Sequence, residues 1–154
     1  MKPLNQWFDE YSVSHQNPKN KAIHFICVPA IFFSIVGILM SIPSTFLTSL
    51  FQLKQPLIEN WAFVALIFVI IFYLRLSTLM AIRMTLFSLL CLIANFYIGK
   101  FLPLLIFSIV IFTFAWIGQF YGHKIEGKKP SFLKDLQFLL IGPAWVNENL
   151  FSKK

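Results

Sequence analysis

The sequence predicts an all-α membrane protein with about four transmembrane helices and amphipathic interfacial helices at both ends. Its 154 residues are 58% hydrophobic and 12% charged, with a mean hydropathy of +0.74, whereas soluble domains carry roughly a quarter charged residues. Long stretches hold no charged residue, and the basic residues stand mainly at their ends. A chain of this length is predicted to form one membrane domain covering residues 1–154.

Charged residues and helix breakers delimit the four predicted spans. The first covers residues 22–40 and ends before Pro43, because proline cannot continue the helical hydrogen-bond pattern. The others cover residues 57–80, 84–99 and 101–122. The third is the shortest, and it is marginal against the roughly 20 residues that cross a bilayer core.

The basic residues predict the orientation of these spans. Of the 13 lysines and arginines, all but Lys54 and Lys100 fall on one predicted side of the membrane. The positive-inside rule places that side, with both chain ends, in the cytosol. The membrane is then the inner membrane of a bacterium or the ER of a eukaryote. Because anionic headgroups and topology account for the basic charge, no nucleic-acid partner is expected.

Reporter fusions test this orientation. A reporter after Lys154 and another inserted near Lys54 should lie on opposite sides of the membrane, because the basic bias separates these positions. A protease-protection or enzyme-reporter assay distinguishes the two sides. If both reporters lay on one side, the prediction that the histidines share a membrane face would fail with the topology.

Two terminal segments are predicted to lie on the membrane surface. In residues 3–15, apolar and aromatic residues recur at the spacing of one helical face. In residues 131–141, four leucines and a phenylalanine share a face opposite polar residues. Pro130-Ser131 is predicted to begin this second helix and Gly142-Pro143 to end it. Both helices would place their apolar faces against lipid.

The three histidines are predicted to meet at one membrane face. His15 ends the first amphipathic segment, His24 lies near the start of the first span, which Asn20 is predicted to cap, and His123 follows the fourth span. Four spans return the chain to its starting side, so both ends can be neighbours. A single interfacial histidine is usually an amphipathic side chain near headgroups. Three at one depth favour a metal site.

Two polar side chains accompany His123. Gln119 precedes it by four residues and Glu126 follows it by three, so a continued helix would place the three side chains together. The alternative for Glu126 is a solvated ion pair with a nearby lysine such as Lys124. Ionisable groups at the membrane edge are often functional, which favours a role in the site.

Small and aromatic residues also carry predictions. Gly118 and Gly122 form a small-xxx-small pair, which predicts close approach of another helix to the fourth span; a substrate groove is the alternative. Tryptophans are enriched at membrane interfaces. Three of them are therefore predicted to be interface anchors: Trp61, Trp116 and Trp145.

Two sequence blocks carry a family resemblance. One runs from Tyr11 to His24 and reads YSVSHQNPKNKAIH; the other runs from Trp116 to Ser131 and reads WIGQFYGHKIEGKKPS. Together they resemble the Mpo-type 2-hydroxy fatty acid dioxygenases, small multi-pass proteins of the ER and of bacteria with a characterised fungal member in phytosphingosine breakdown. In that family's pattern the acid follows the histidine by four residues and alanine follows the proline. Here Glu126 follows by three, and Ser131 replaces the alanine.

The resemblance implies an Fe(II)-dependent dioxygenase that shortens 2-hydroxy fatty acids by one carbon, with O2 and without an organic cosubstrate. Its implied partners are the fatty acid, O2 and membrane lipids, and a homo-oligomer is left open. It implies metal ligands at His15, His24 and His123, and catalytic roles for Tyr11 and for Glu126, the latter as fourth ligand or as support for an imidazole. Implied substrate-binding residues are Asn20, Gln119, Lys21 and Lys124.

Two other functional classes remain open from the residues alone. A zinc-dependent membrane lipid hydrolase could use the same three histidines and acid, because histidine nitrogens and carboxylate oxygens are also zinc ligands. The other class is a non-catalytic membrane scaffold or transporter. A transporter typically has polar or broken segments at the bilayer midplane, whereas here the polar residues gather at one predicted face.

Overall fold

A computed structural model describes residues 2–127 and 138–151. These residues form seven α-helices and no strand, which confirms the all-α membrane class. The helices are α1 (Leu4–Ser12), α2 (Pro18–Met40), α3 (Thr45–Phe51), α4 (Trp61–Leu74), α5 (Thr78–Ile98), α6 (Leu104–Glu126) and α7 (Ile141–Phe151).

Three helices of the described chain are long and apolar enough to cross a membrane. They are α2, α5 and α6, with 23, 21 and 23 residues, and a bilayer core needs roughly 20. Helix α4 is also apolar but has 14 residues. At 1.5 Å per residue it is only about 21 Å long, short of a core of roughly 30 Å. The structure therefore has three full-length candidates and one shorter helix where the sequence predicted four spans.

The predicted boundary between the second and third spans, at residues 57–80 and 84–99, is wrong. Helix α4 already ends at its C-cap Arg75, and Ser77 caps α5 by accepting a hydrogen bond from a backbone N–H of its first turn. Arg83 lies inside α5 and is half-buried. A long basic side chain can keep its charged end in a polar region while its stem stays among apolar groups, so this charge does not mark a helix end.

The two terminal segments also differ from their predictions. Helix α1 is shorter than the predicted 3–15 helix. Of the second predicted segment, residues 131–137 lie outside the described residues, and residues 138–140 form a turn. The prediction that Gly142-Pro143 ends a helix is wrong, because both residues stand in the first turn of α7. Proline is favoured there, since the first N–H groups of a helix have no intrahelical partner.

The chain divides into two compact units. One comprises Met1–Phe32 and Thr113–Lys154, and the other comprises Phe33–Phe112. In the described part of the first unit, α1 packs against α7. In the second, α4 and α5 pack against each other as a helical pair. All three histidines belong to the first unit.

Candidate metal centre

His15 is positioned by the connection between α1 and α2. Asn17 caps α2, because its side-chain oxygen accepts a hydrogen bond from the Lys19 backbone N–H at 2.9 Å. This is the usual role of an asparagine just before a helix. The prediction that Asn20 is the cap is therefore wrong. Asn20 lies inside α2 and is fully buried, which makes its side chain part of the site.

Close approach of α2 and α6 brings the other two histidines together. A Cβ atom at Gly122 would overlap the Asn20 side-chain oxygen and would lie 3.2 Å from His24 Cε1. A Cβ at Gly118 would crowd the side chains of α2 that face it. The predicted approach of another helix to this pair of glycines is confirmed. It places His24 next to His123.

The three imidazoles form one buried cluster. Their ring centroids are 4.3 Å apart for His15 and His24, 5.4 Å for His15 and His123, and 5.0 Å for His24 and His123. At most 5% of each residue is exposed. One nitrogen from each ring lies within 4.8 Å of the others. The structure thus brings together the histidines that the sequence predicted to be neighbours.

Backbone carbonyls fix the orientation of two of the rings. His15 Nδ1 lies 2.6 Å from the Tyr11 carbonyl oxygen, and His24 Nδ1 lies 3.0 Å from the Asn20 carbonyl oxygen. A carbonyl only accepts, so each Nδ1 donates its proton, and the lone pair of each ring is then on Nε2. His15 Nε2 is buried and has no hydrogen-bond partner in the described part of the chain. Because an unsatisfied buried acceptor costs free energy, this donor set fits a bound metal ion.

Burial also keeps the His15 imidazole neutral. It lowers the pKa of His15 from its ordinary value of 6.5 to about 4, against the opposite effect of the Tyr11 carbonyl. Near neutral pH the ring is therefore unprotonated. This is the form of histidine that binds metal ions.

Glu126 holds the connection that carries His15. Its carboxylate accepts hydrogen bonds from the Gln16 N–H at 2.8 Å, the Asn17 N–H at 2.9 Å and the Asn20 side-chain amide at 3.0 Å. Among the described residues, the group with metal-binding spacing contains the three histidines and not this acid. Both predicted roles of Glu126, as fourth ligand and as support for an imidazole, stay predictions, and these hydrogen bonds fit the supporting role.

Replacing Glu126 with glutamine should therefore weaken metal binding. The –NH2 group of glutamine cannot accept hydrogen bonds from the N–H groups that the carboxylate binds. The connection that carries His15 is then held less firmly, and His15 loses its fixed position. Loss of an outer partner of this kind typically lowers metal affinity about 10- to 100-fold, which a chelator-competition titration measures. Glu10→Gln is the matched control, because the Glu10 side chain is 39% exposed and pairs with Lys2. An equal loss of metal affinity in Glu126→Gln and Glu10→Gln would contradict the supporting role of Glu126.

Tyr11 and Gln119, two further predicted site residues, contact the cluster directly. The Tyr11 ring stacks on the His15 ring with centroids 4.1 Å apart and planes 9° apart. The Gln119 side chain is buried and hydrogen-bonded to His24. Both side chains also line the small cavity beside the cluster. They are therefore placed to contact a molecule bound there.

The two predicted substrate-binding lysines differ in position. Lys21 is half-buried, and its charge acts on His15. Lys124 is exposed. It follows His123 directly on α6, and successive helical residues point about 100° apart. Lys21 therefore acts on His15 through its charge, whereas the side chain of Lys124 is exposed.

Trp145 is a site residue that the sequence analysis missed. It was predicted to anchor the membrane interface, but it is 3% exposed, and its indole N–H donates to Ser12 Oγ at 2.8 Å. Its ring centroid lies 5.1 Å from Tyr11 and 5.5 Å from His15. The anchor prediction is wrong for this residue. Its residue type and its apolar surroundings gave no signal that distinguishes an interface anchor from a buried ring.

A small cavity of about 30 Å³ adjoins His24 and His123. Its apolar walls come from α2, α6 and the turn before α7, through Val28, Ile31, Trp116, Phe138 and Leu139. This volume holds about one water molecule. It offers room for a molecule the size of O2, and a long acyl chain requires the surrounding side chains to move.

Comparison with known proteins supports one family. Residues 1–154 match a family model described as 2-hydroxy-palmitic acid dioxygenase Mpo1-like. No curated protein and no solved structure matches the chain. The family match covers the whole chain, including the helices that carry the three histidines. The chain belongs to the Mpo1-like family.

Proposed function

We propose that this protein is an Fe(II)-dependent dioxygenase that shortens a 2-hydroxy fatty acid by one carbon. The observation that carries the proposal is the buried cluster of three imidazoles, whose nitrogens lie within 4.8 Å of one another. The family description points to the same substrate class. His15, His24 and His123 would hold the ion, the first two through Nε2.

The donor set suits this reaction. Three neutral nitrogen ligands leave coordination positions open, and a 2-hydroxy acid can chelate through its carboxylate and its hydroxyl. The bound iron would supply O2 activation. Release of C1 as CO2 and oxidation of C2 to a carboxyl group together yield four electrons. These electrons reduce one O2 completely. The products are the shortened acid, CO2 and water. The substrate therefore supplies every electron, and no organic cosubstrate is required.

The surrounding side chains would orient the substrate and exclude water. Gln119 contacts His24 and lines the adjoining cavity, and its amide would hydrogen-bond the substrate carboxylate. The positive charge of Lys21 would attract that carboxylate. The rings of Tyr11 and Trp145 pack on His15 and would exclude water from it. The acyl chain would leave along the apolar walls of the cavity.

Metal exchange tests the proposal. Protein purified with iron should consume O2 and convert 2-hydroxypalmitate to the acid that is one carbon shorter, whereas palmitate should not react. Chelation should abolish turnover, Fe(II) should restore it, and Zn(II) should not. If the protein with Zn(II) hydrolysed lipids and consumed no O2, the proposed dioxygenase would be wrong and the protein would be a hydrolase.

A further inference from the structure

The second unit contains a larger cavity that the proposed reaction does not use. Its volume is about 810 Å³, which lies within the usual range of roughly 300–1,000 Å³ for small-molecule sites. It is bounded by α3, by the connection from α3 to α4, and by the facing ends of α5 and α6. All its lining residues belong to Phe33–Phe112. It therefore shares no lining residue with the histidine cluster.

Helix α3 turns a polar side toward this cavity. Ser44, Thr48 and Gln52 line it at intervals of four residues, which is the spacing of one helical face. Two side chains of the same helix are apolar and exposed, Phe46 at 63% and Leu50 at 61%. In a membrane protein such an exposed apolar surface suits contact with lipid. The polar side thus marks an open site for a polar group.

Glu59 fixes the loop that carries one of the cavity's two lysines. Gln52 and Lys54 have φ angles of 52° and 55°, a left-handed conformation that is uncommon outside glycine. The Glu59 carboxylate is buried and accepts hydrogen bonds from the Leu53 N–H at 2.7 Å and the Gln55 N–H at 3.1 Å. The acid therefore holds the loop, and Lys54 at its centre lines the cavity.

The second lysine, Lys100, is held by aromatic rings. Its Nζ lies 4.5 Å from the Phe96 ring centroid and 4.9 Å from the Tyr97 ring centroid, a cation–π arrangement that restrains the ammonium group. Among the lining residues, two lysines face one acid, and Glu59 is engaged by backbone N–H groups. The cavity consequently favours an anion.

We infer that this cavity binds the anionic headgroup of a membrane phospholipid. The phosphate would lie near Lys54 and Lys100, and the rest of the headgroup would hydrogen-bond Thr48, Gln52 and Asn60. The acyl chains would extend over the exposed apolar surface. A fatty acid offers a single carboxylate, which would leave most of the volume of about 810 Å³ beside these polar groups unfilled. The polar lining therefore favours a phospholipid over a fatty acid.

Native mass spectrometry of the full chain in neutral detergent tests this site. Titration with phosphatidylglycerol should reveal one saturable site, with phosphatidylcholine and oleate binding at least about tenfold more weakly. The double variant Lys54→Gln/Lys100→Gln should lose about 25-fold in affinity, about fivefold for each basic residue near an anionic lipid. The matched control is Lys2→Gln/Lys19→Gln, which removes the same charge from exposed positions of the first unit and should bind like wild type.

Three results would overturn the inference. The first is equal affinity for phosphatidylglycerol in wild type and in Lys54→Gln/Lys100→Gln. The second is an equal loss of this affinity in that variant and in its control. The third is tighter binding of oleate than of phosphatidylglycerol. Lys54→Arg/Lys100→Arg keeps both charges and should restore binding. Circular dichroism checks folding. If the double glutamine variant does not fold, Lys100→Gln alone gives the same test with an expected loss of about fivefold.

Discussion

Replacing His15, His24 or His123 with alanine should abolish both retained iron and 2-hydroxypalmitate turnover in every variant. A site built from three imidazoles has no spare protein ligand, and Glu126 is already engaged by backbone and side-chain N–H groups. Membrane insertion should survive, because His24 and His123 lie near the ends of α2 and α6. The apolar middle of each span, where insertion is decided, is unchanged.

Bound iron per chain, O2 uptake and product formation should therefore fall together. Asn95→Ala is the matched control, because Asn95 is also fully buried and polar but belongs to the second unit. It should lower stability and leave the iron content unchanged. A histidine variant with full iron and full activity would remove that residue from the ligand set. Activity in all three variants would overturn the proposed enzyme.

The meeting of the three histidines could be predicted from the sequence because it depends on chain topology. Helices α2 and α6 carry His24 and His123 near the ends that the span count assigned to one membrane face. The contacts that orient the rings could not be predicted. They depend on the carbonyl oxygens of Tyr11 and Asn20, and every residue has such a carbonyl, so no residue type marks them.

Trp145 and Asn20 show a second limit of sequence reasoning. A tryptophan next to an apolar segment fits an interface anchor and a buried ring equally well, and only packing against Tyr11 and His15 distinguishes them. Asn20 and Asn17 are both suitable helix caps by residue type. The helix starts at Pro18, which makes Asn17 the cap and leaves Asn20 inside the site.

Hydropathy predicted the helical class but not every helix boundary. Charge alone placed the third span after Arg83, whereas the break before α5 is set by the capping side chain of Ser77. Serine is a strong cap but is also common elsewhere in apolar segments. A helix boundary predicted from charges alone is therefore wrong where an arginine lies within the helix. The composition of the spans is unaffected, which is why the overall class was confirmed.

Gly122→Ala should lower iron affinity by about 100-fold or more. This equals or exceeds the largest effect usually seen when a hydrogen-bond partner of a metal ligand is lost, about 100-fold. Alanine is the better helix former by up to about 1 kcal/mol, so a loss must come from packing. The new Cβ would overlap the Asn20 side-chain oxygen and would lie 3.3 Å from His24 Nδ1. Asn20 cannot yield freely, because its amide donates to the Ser14 carbonyl and to Glu126. The substitution therefore displaces a ligand and the support of the His15 connection together.

Gly118→Ala separates this effect from general crowding between the same two helices. Gly118 lies one turn earlier on α6, and its Cβ would meet Cys27 Sγ at 2.5 Å, outside the histidine cluster. This variant should lose thermal stability while its iron affinity changes less than about threefold, since no outer partner of the metal is removed. Chelator competition and thermal unfolding of both variants, each without added metal and with Fe(II), measure the two quantities. Wild-type iron affinity in Gly122→Ala would show that close approach at this glycine does not position the ligands. An equal loss in Gly118→Ala would assign the effect to helix packing as a whole.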